Sequence, residues 1–243
     1  MGGTSGIGRP LATGLAEAGA DVVATGRRGN LVDELASEIE KRGRKTLRQT
    51  ADASSRESVD RFRDAVLSTF GRVDILLNAA GRTFRKPGAS VGESEWNGLM
   101  DVNLNGTLRA CQSFFEPLKA SGRGRVINIA SLASYLSFFE VAAYTTSKAA
   151  VLGLTRSLAI EWAQKGVNVN AIAPGVFRTD LNSALLDGTE RGRELLMRTP
   201  MKRGGKIPEL IGAAVFLASD AAGFVTGQCI GVDGGFLASG VNS

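Results

Sequence analysis

The sequence predicts an α/β protein: a single domain built on a doubly wound parallel sheet with helices on both faces. Three observations carry this. Short apolar runs alternate with segments of helical period along the whole chain. Two of those runs, "VDILLNAAG" and "GRVINIAS", are apolar without alternation, as strands buried on both faces are. A glycine run, "MGGTSGIGRP", stands before the first helical segment, where sheets of this type turn their chain toward a ligand.

Taken in order, "PLATGLAEAGA" repeats Leu11, Leu15 and Ala18 at helical spacing and stops at Gly19. Pro10 suits a first helical turn, where its missing N–H costs nothing. "DVVAT" reads as a buried strand, and "NLVDELASEIEKRG" as a helix capped by Asn30 and stopped by Gly43. "RKTLRQTA" reads as the next strand, followed by a helix from Ser54 to Phe70 with Glu57 completing a capping box. After "VDILLNAAG" comes a long helical stretch over residues 95–120, then the strand "GRVINIAS". A helix over "VAAYTTSKAAVLGLTRSLAIEWAQKG", the strand "VNVNAIAPG", the helix "PELIGAAVFLAS" and the strand "QCIGVDGG" complete the pattern.

Composition narrows the chemistry. With 243 residues, 43% of them hydrophobic, and neither linker nor internal repeat, one domain with a large core is expected. The apolar runs fall short of the roughly 18–20 residues of a membrane span, and no signal peptide is evident, so a soluble cytoplasmic protein is expected. The absence of histidine removes Ser-His-Asp chemistry and histidine general bases. Cys111 and Cys229 stand in no metal-ligand spacing and read as small buried hydrophobes, so no metal site is expected. The net charge of +5 is spread over loop and helix-end clusters, with too few aromatics for a nucleic-acid interface.

Gly2, Gly6 and Gly8 form G-x-x-x-G-x-G, a spacing that lets backbone N–H groups approach a pyrophosphate at the positive end of a helix. Tyr144 and Lys148, four apart in a helical segment, share one face. An ammonium close to a phenol favours the phenolate and would bring tyrosine toward proton exchange near neutrality. Exposed helix surfaces also carry such pairs, so the spacing alone leaves both readings open.

"GGTSGIG", "NAAG", "VNLNG", "INIAS", "YTTSK" and "APGVFRT" together, in this order over nearly the whole chain, resemble the short-chain dehydrogenase/reductase family. The resemblance implies a Rossmann-type fold, a nicotinamide cofactor that transfers hydride without a metal, and a substrate loop at about 176–206. It implies that Ser131 hydrogen-bonds the substrate oxygen, that Tyr144 is the general acid or base, and that Lys148 lowers the tyrosine pKa and binds the nicotinamide ribose. Asn103 would hold a water in a proton relay to Lys148. Around the cofactor it implies Gly2, Thr4, Ser5, Gly6, Ile7 and Gly8 at the pyrophosphate, Asp52 and Ala53 near the adenine, and Asn78, Ala79, Ala80 and Gly81 on the adenosine side. Pro174, Gly175, Val176 and Thr179 would border the nicotinamide and its phosphate. Relatives are commonly homotetramers, pairing helices around 95–120 and 141–165 and also the last strand. They also carry an apolar strand of about six residues before the glycine run, so the expectation is that the natural protein starts upstream of Met1. Without that strand the chain is expected to be largely insoluble, or to bind NADP(H) at least tenfold worse than a version with an apolar strand restored.

Cofactor choice follows from charge. An acidic residue after the second strand would bind the 2′-hydroxyl of NAD(H), whereas Gly26, Arg27 and Arg28 stand there, favouring NADP(H). Ser5 departs from the basic residue that some NADP-preferring relatives carry. Within the family, the tail "TERGRELLMRTPMKRGGK" to "VDGGFLASGVNS" looks most like gluconate 5-dehydrogenases or sugar dehydrogenases, and the loop residues Arg178, Asn182, Arg191, Arg193, Arg198 and Lys202 suit an anionic substrate such as a sugar acid. A 3-oxoacyl-acyl-carrier-protein reductase is the alternative, and a catalytically inactive nucleotide-binding protein or truncated fragment is the reading of another class.

Overall fold

A computed structural model describes residues 1–179 and 183–240. Helix α1 (Gly8–Glu17) buries Leu11, Ala12, Leu15 and Ala16 along one face, and Gly19 ends the turn at φ 102°. Helix α2 (Gly29–Lys41) buries Val32, Leu35, Ala36 and Ile39, an i, i+3, i+4, i+7 stripe. Its cap is Arg28 with no side-chain bond, so Asn30 lies inside the first turn rather than capping it. Helix α3 (Arg56–Phe70) is capped by Ser55, whose Oγ accepts the Ser58 N–H at 3.2 Å. Ser54, the expected cap, instead donates to Asp52 Oδ1 at 2.7 Å.

Strands β1 (Ile75–Asn78), β2 (Gly124–Ile129), β3 (Val167–Pro174) and β4 (Cys229–Val232) form one parallel sheet in that order. Leu76 pairs with Val126, Val126 with Val169, and Ile172 with Ile230. Between β1 and β2 run α4 (Glu93–Met100), one π-helical turn (Asp101–Asn105) and α5 (Gly106–Ala120). Helix α6 (Ala142–Trp162) precedes β3. Helices α7 (Ser183–Leu186), α8 (Glu190–Arg198) and α9 (Ile207–Ala218) lie between β3 and β4.

Side chains of successive strand residues leave the sheet on opposite sides, and both sides are covered. Val126 and Val169 pack with Phe62, Phe114, Leu118, Leu158 and Trp162 of α3, α5 and α6. Ile127 and Ile172 pack with Leu11, Leu210, Ala214 and Leu217 of α1 and α9. This double burial is the physical reason that β2 reads as an apolar run without alternation. Among the described residues no helix is long and apolar enough to cross a membrane.

The segments "DVVAT" and "RKTLRQTA" run without regular strand structure, contrary to the sequence expectation. They are linked by isolated bonds, Val22 N–H to the Lys45 carbonyl and Ala51 N–H to the Gly26 carbonyl, both 3.1 Å. A parallel ladder requires such bonds at every second residue along the pair, evenly spaced. On the other flank of residues 22–24, a cavity of about 1090 Å³ separates them from Ile75, Leu76 and Leu77. Met1 pairs with the β1 side in strand fashion: its amino group donates to the Leu77 carbonyl at 2.8 Å, and its carbonyl accepts from Ala79 at 2.9 Å, while the Gly3 N–H donates to the Thr25 carbonyl on the other flank at 2.9 Å.

A buried polar chain fixes the register of β1 on β2. Asn78, paired with Asn128 in the sheet, donates its amide to Asn128 Oδ1 at 3.0 Å, and Asn128 donates to Thr155 Oγ1 of α6 at 3.0 Å. Truncating the middle member removes one hydrogen bond from each buried neighbour, leaving Asn78 with Cys111 Sγ and Thr155 with the Val151 carbonyl. Asn128→Ala is therefore expected to lower unfolding free energy by about 1–3 kcal/mol in urea titrations, and a variant as stable as the parent would contradict this role.

Candidate active site

The stretch after β1 meets the glycine loop at Ala80, and the carboxyl end of β2 meets Lys148 of α6. The loop is shaped by close approach. Gly2 takes φ 72°, and a Cβ there would run into the Ala80 backbone; a Cβ on Gly8 would run into the Gly2 carbonyl. Gly6, at φ 53°, faces open space, so one side of the loop is packed and the other is free to meet a ligand. No side chain caps α1 and its first turn carries no acid, which leaves the positive end of the helix for an anion. Thr4 is buried, Ser5 exposed and Ile7 half-buried.

Arg27 and Arg28 are exposed beyond Gly26. Burial raises the Asp52 carboxyl, but hydrogen bonds from the Ser54 hydroxyl and amide, with the Arg27 and Arg109 charges, more than offset it and hold the group below its ordinary value. Ala53 is buried, and its carbonyl accepts from Arg109 at 3.2 Å. The Asn78 side chain turns into the sheet interior, whereas Ala79 and Ala80 lie against the glycine loop. Gly175 passes so close to β4 that a Cβ would lie 2.5 Å from the Asp233 Cα, and its N–H donates to Val232 at 2.8 Å, which sets the path of Pro174 and Val176. The Thr179 carbonyl accepts the Ser183 N–H at 2.9 Å, and Asn182 lies outside the described residues.

Helical period places Tyr144 and Lys148 on one face of α6, with the ammonium 5.8 Å from the phenol ring centre. The Lys148 Nζ donates to the Ile129 carbonyl at the end of β2, 2.7 Å away. Burial pushes this ammonium down to about 8. Ser131 follows β2 directly and faces Tyr144. Burial raises the phenol. The downward influence on it comes from the Ser131 hydrogen bond, and burial exceeds it. Asn103 sits in the π-helical turn, where its amide donates to the Arg82 carbonyl and to Ser147 Oγ, both at 3.0 Å, and its Oδ1 accepts the Arg82 N–H at 2.8 Å. A Cβ at Gly81 would lie 3.5 Å from Asn103 Oδ1 and 3.8 Å from Lys148 Nζ, so the glycine leaves a small space bordered by both.

Residues 2–237 match a family model described as enoyl-(acyl carrier protein) reductase. A gluconate 5-dehydrogenase from Gluconobacter oxydans is 38% identical over 98% of this chain and 93% of its own. A 2-dehydro-3-deoxy-D-gluconate 5-dehydrogenase from Dickeya dadantii is 40% identical over 96% and 92%. The crystal structure of a gluconate 5-dehydrogenase from Burkholderia cenocepacia in complex with NADP and tartrate superposes with a TM-score of 0.95 at 38% identity, covering 99% of this chain and 94% of that one. The chain belongs to the short-chain dehydrogenase/reductase family.

In this short-chain dehydrogenase/reductase the structure also brings in residues that sequence reading passed over. Ser134 Oγ donates to the Lys148 carbonyl at 2.7 Å and accepts the Ser131 N–H at 3.3 Å, tying the serine turn to α6. Its spacing from Ser131 is that of a capping pair, the one signal available. Ser147 Oγ links Asn103 to the Tyr144 carbonyl. Glu140, at φ 62°, pairs with Arg85 at 2.6 Å ahead of α6, and Arg191 of α8 donates to the Phe139 carbonyl. Other loop cations are engaged as well: Arg178 with Asp187, Arg193 with the Gly188 carbonyl, Lys202 with the Met197 carbonyl, and Arg198 over the Phe236 ring.

Burial of Lys148 has a consequence for stability. The unfolded chain holds this proton up to about pH 10.5, whereas the folded chain releases it near 8, so stability rises with pH between them. The slope is expected at up to ~1.4 kcal/mol per pH unit. Urea unfolding between pH 8 and 10 should show it in the parent and not in Lys148→Met; equal slopes would refute the assignment.

Proposed function

We propose that the protein is an NADP(H)-dependent oxidoreductase that interconverts a ketone and a secondary alcohol on a sugar acid, with Ser131, Tyr144, Lys148 and Asn103 as its catalytic set. The observation that carries this reading is the meeting of Ser131, Tyr144 and Lys148 where β2 ends and α6 begins. The cofactor fits the residues present: a glycine cradle packed on one side and open on the other, no acid at position 26, and two exposed arginines after it. NADP(H), when bound, supplies or accepts the hydride.

Ser131 donates its hydroxyl hydrogen to the substrate oxygen and holds it beside the phenol. Tyr144, kept protonated by burial, gives its proton to that oxygen in reduction and takes it back in oxidation. Lys148 places a positive charge next to the phenol and favours the phenolate that remains. Its proton is restored through a water in the space at Gly81, facing Asn103 Oδ1. The remaining contacts to the cofactor follow the glycine loop, Asp52 and Ala53, residues 78–81, and Pro174, Gly175, Val176 and Thr179.

The sugar-acid substrate rests on the gluconate and deoxygluconate dehydrogenases among the relatives and on the tartrate in the Burkholderia structure's description. Residues 176–206 form the substrate loop of a single-domain enzyme, with Arg191 fastening α8 to the segment before Tyr144. The enzyme is cytoplasmic and assembles as a homotetramer, which would cover the exposed apolar Ile160 on α6 and Phe216 and Phe224 at and beyond α9. A monomeric mass by light scattering at micromolar concentration would overturn the assembly.

Turnover on a panel of sugar acids with NADPH and NADH tests the reading, which fails if no member of the panel is oxidised or reduced. Tyr144→Phe is expected to lose about 10²–10⁴ in kcat with little change in nucleotide affinity; retention of more than a tenth of the activity would remove Tyr144 from its role. Arg27→Ala is expected to weaken NADPH by roughly tenfold or more while sparing NADH, as read by titration calorimetry, because only NADPH carries the 2′-phosphate. Equal losses would show that Arg27 does not read it.

A further inference from the structure

We infer that Thr4 is a cofactor-specificity determinant: its buried side chain occupies the space that any residue larger than glycine needs at position 26. The inference rests on the NADP(H) reading above and goes beyond it, because it explains why the acid-free position is built into the fold.

Gly26 does not take the left-handed backbone conformation that favours glycine, so its backbone alone would accept another residue. The obstacle is steric. A Cβ at 26 would lie 2.5 Å from Thr4 Oγ1 and 3.4 Å from Thr4 Cγ2, but at an ordinary 3.5 Å from Thr4 Cβ. The collision thus belongs to the γ atoms of Thr4 and would vanish with alanine there. Rotation offers limited relief, since two of the three staggered threonine rotamers put a heavy atom at the place now held by Oγ1. Nor can the backbones separate freely. The Gly3 N–H donates to the Thr25 carbonyl at 2.9 Å, the Ala51 N–H holds the Gly26 carbonyl at 3.1 Å, and a Cβ on Gly3 would already be 3.0 Å from Ala24 Cβ. Thr4, only 4% exposed, is wedged between the glycine loop and the 24–26 segment. An aspartate introduced at 26 to bind a ribose 2′-hydroxyl would push the glycine loop away from its ligand before its carboxylate could act.

The test is a double-mutant cycle of Thr4→Ala and Gly26→Asp in the full chain, with two readouts. One is the melting temperature without nucleotide; the other is NADPH and NADH affinity by titration calorimetry. Gly26→Asp alone is expected to melt several degrees lower, to lose at least tenfold in NADPH affinity and to gain nothing for NADH. Thr4→Ala should change both affinities by the same factor. The double variant should recover most of the melting temperature and bind NADH at least tenfold more tightly than Gly26→Asp does. A single Gly26→Asp variant that binds NADH as well as the double overturns the proposal, as does a melting penalty that Thr4→Ala does not relieve. If Gly26→Asp does not fold, Gly26→Ala, with and without Thr4→Ala, carries the same collision, and a Gly26→Ala protein as stable as the parent refutes it. Parent protein that binds NADH as tightly as NADPH would instead refute the cofactor reading, and the melting cycle would still report the steric coupling separately.

Discussion

The short bond from the Lys148 ammonium to the Ile129 carbonyl is the constraint on which the site depends. Burying an ammonium costs several kcal/mol of hydration, and only a strong acceptor and close packing make it tolerable. Ile129 is the last residue of β2, held in register by β3 on one side. The bond therefore fixes the amino end of α6 against the end of the sheet. Everything on that turn of helix inherits the position: Tyr144 comes opposite Ser131, and Ser147 reaches Asn103 across the π-helical turn. Ser134 closes the arrangement from the serine turn to the carbonyl of Lys148. The same burial that makes the site rigid also depresses the lysine and raises the tyrosine, so positioning and acidity have a common cause.

A second constraint is close backbone approach at the other half of the site. Gly2 and Gly8 are glycine because neighbouring backbone occupies the place of a side chain, whereas Gly6 is glycine for its left-handed conformation and open side. Gly26 differs from all three, since it faces a side chain rather than backbone. Gly81 leaves a space beside Lys148 instead of avoiding a collision. Five glycines that look alike in sequence thus answer to four distinct physical demands.

Much of this was legible from sequence. The four regular strands lie within the runs read as strands, and in β2 and β3 burial on both faces keeps the runs mostly apolar. The long helices follow their apolar stripes, and Gly19, Gly43 and Gly71 end three of them with positive φ. Less of the local detail was legible. Ser55 rather than Ser54 caps α3, since Asp52 competes for the Ser54 hydroxyl. The "DVVAT" and "RKTLRQTA" segments lack a regular ladder, because pairing depends on a neighbour that periodicity cannot supply. Loop cations that suggested an anion site are largely engaged with Asp187, backbone carbonyls and the Phe236 ring.

The sequence by itself determined the order of strands and helices, the glycine spacing, and the four-residue interval that puts Tyr144 and Lys148 on one face. Each of these is a local property, set by the helical or strand period and by the residue types within a few positions. Only the tertiary structure decided that Ser134 and Ser147 support the site, that burial outweighs the Ser131 hydrogen bond in its effect on the phenol, and that Thr4 bars a side chain at position 26. Those outcomes depend on segments distant in the chain meeting within a few ångströms, and on how much water is excluded when they do, which no local pattern encodes.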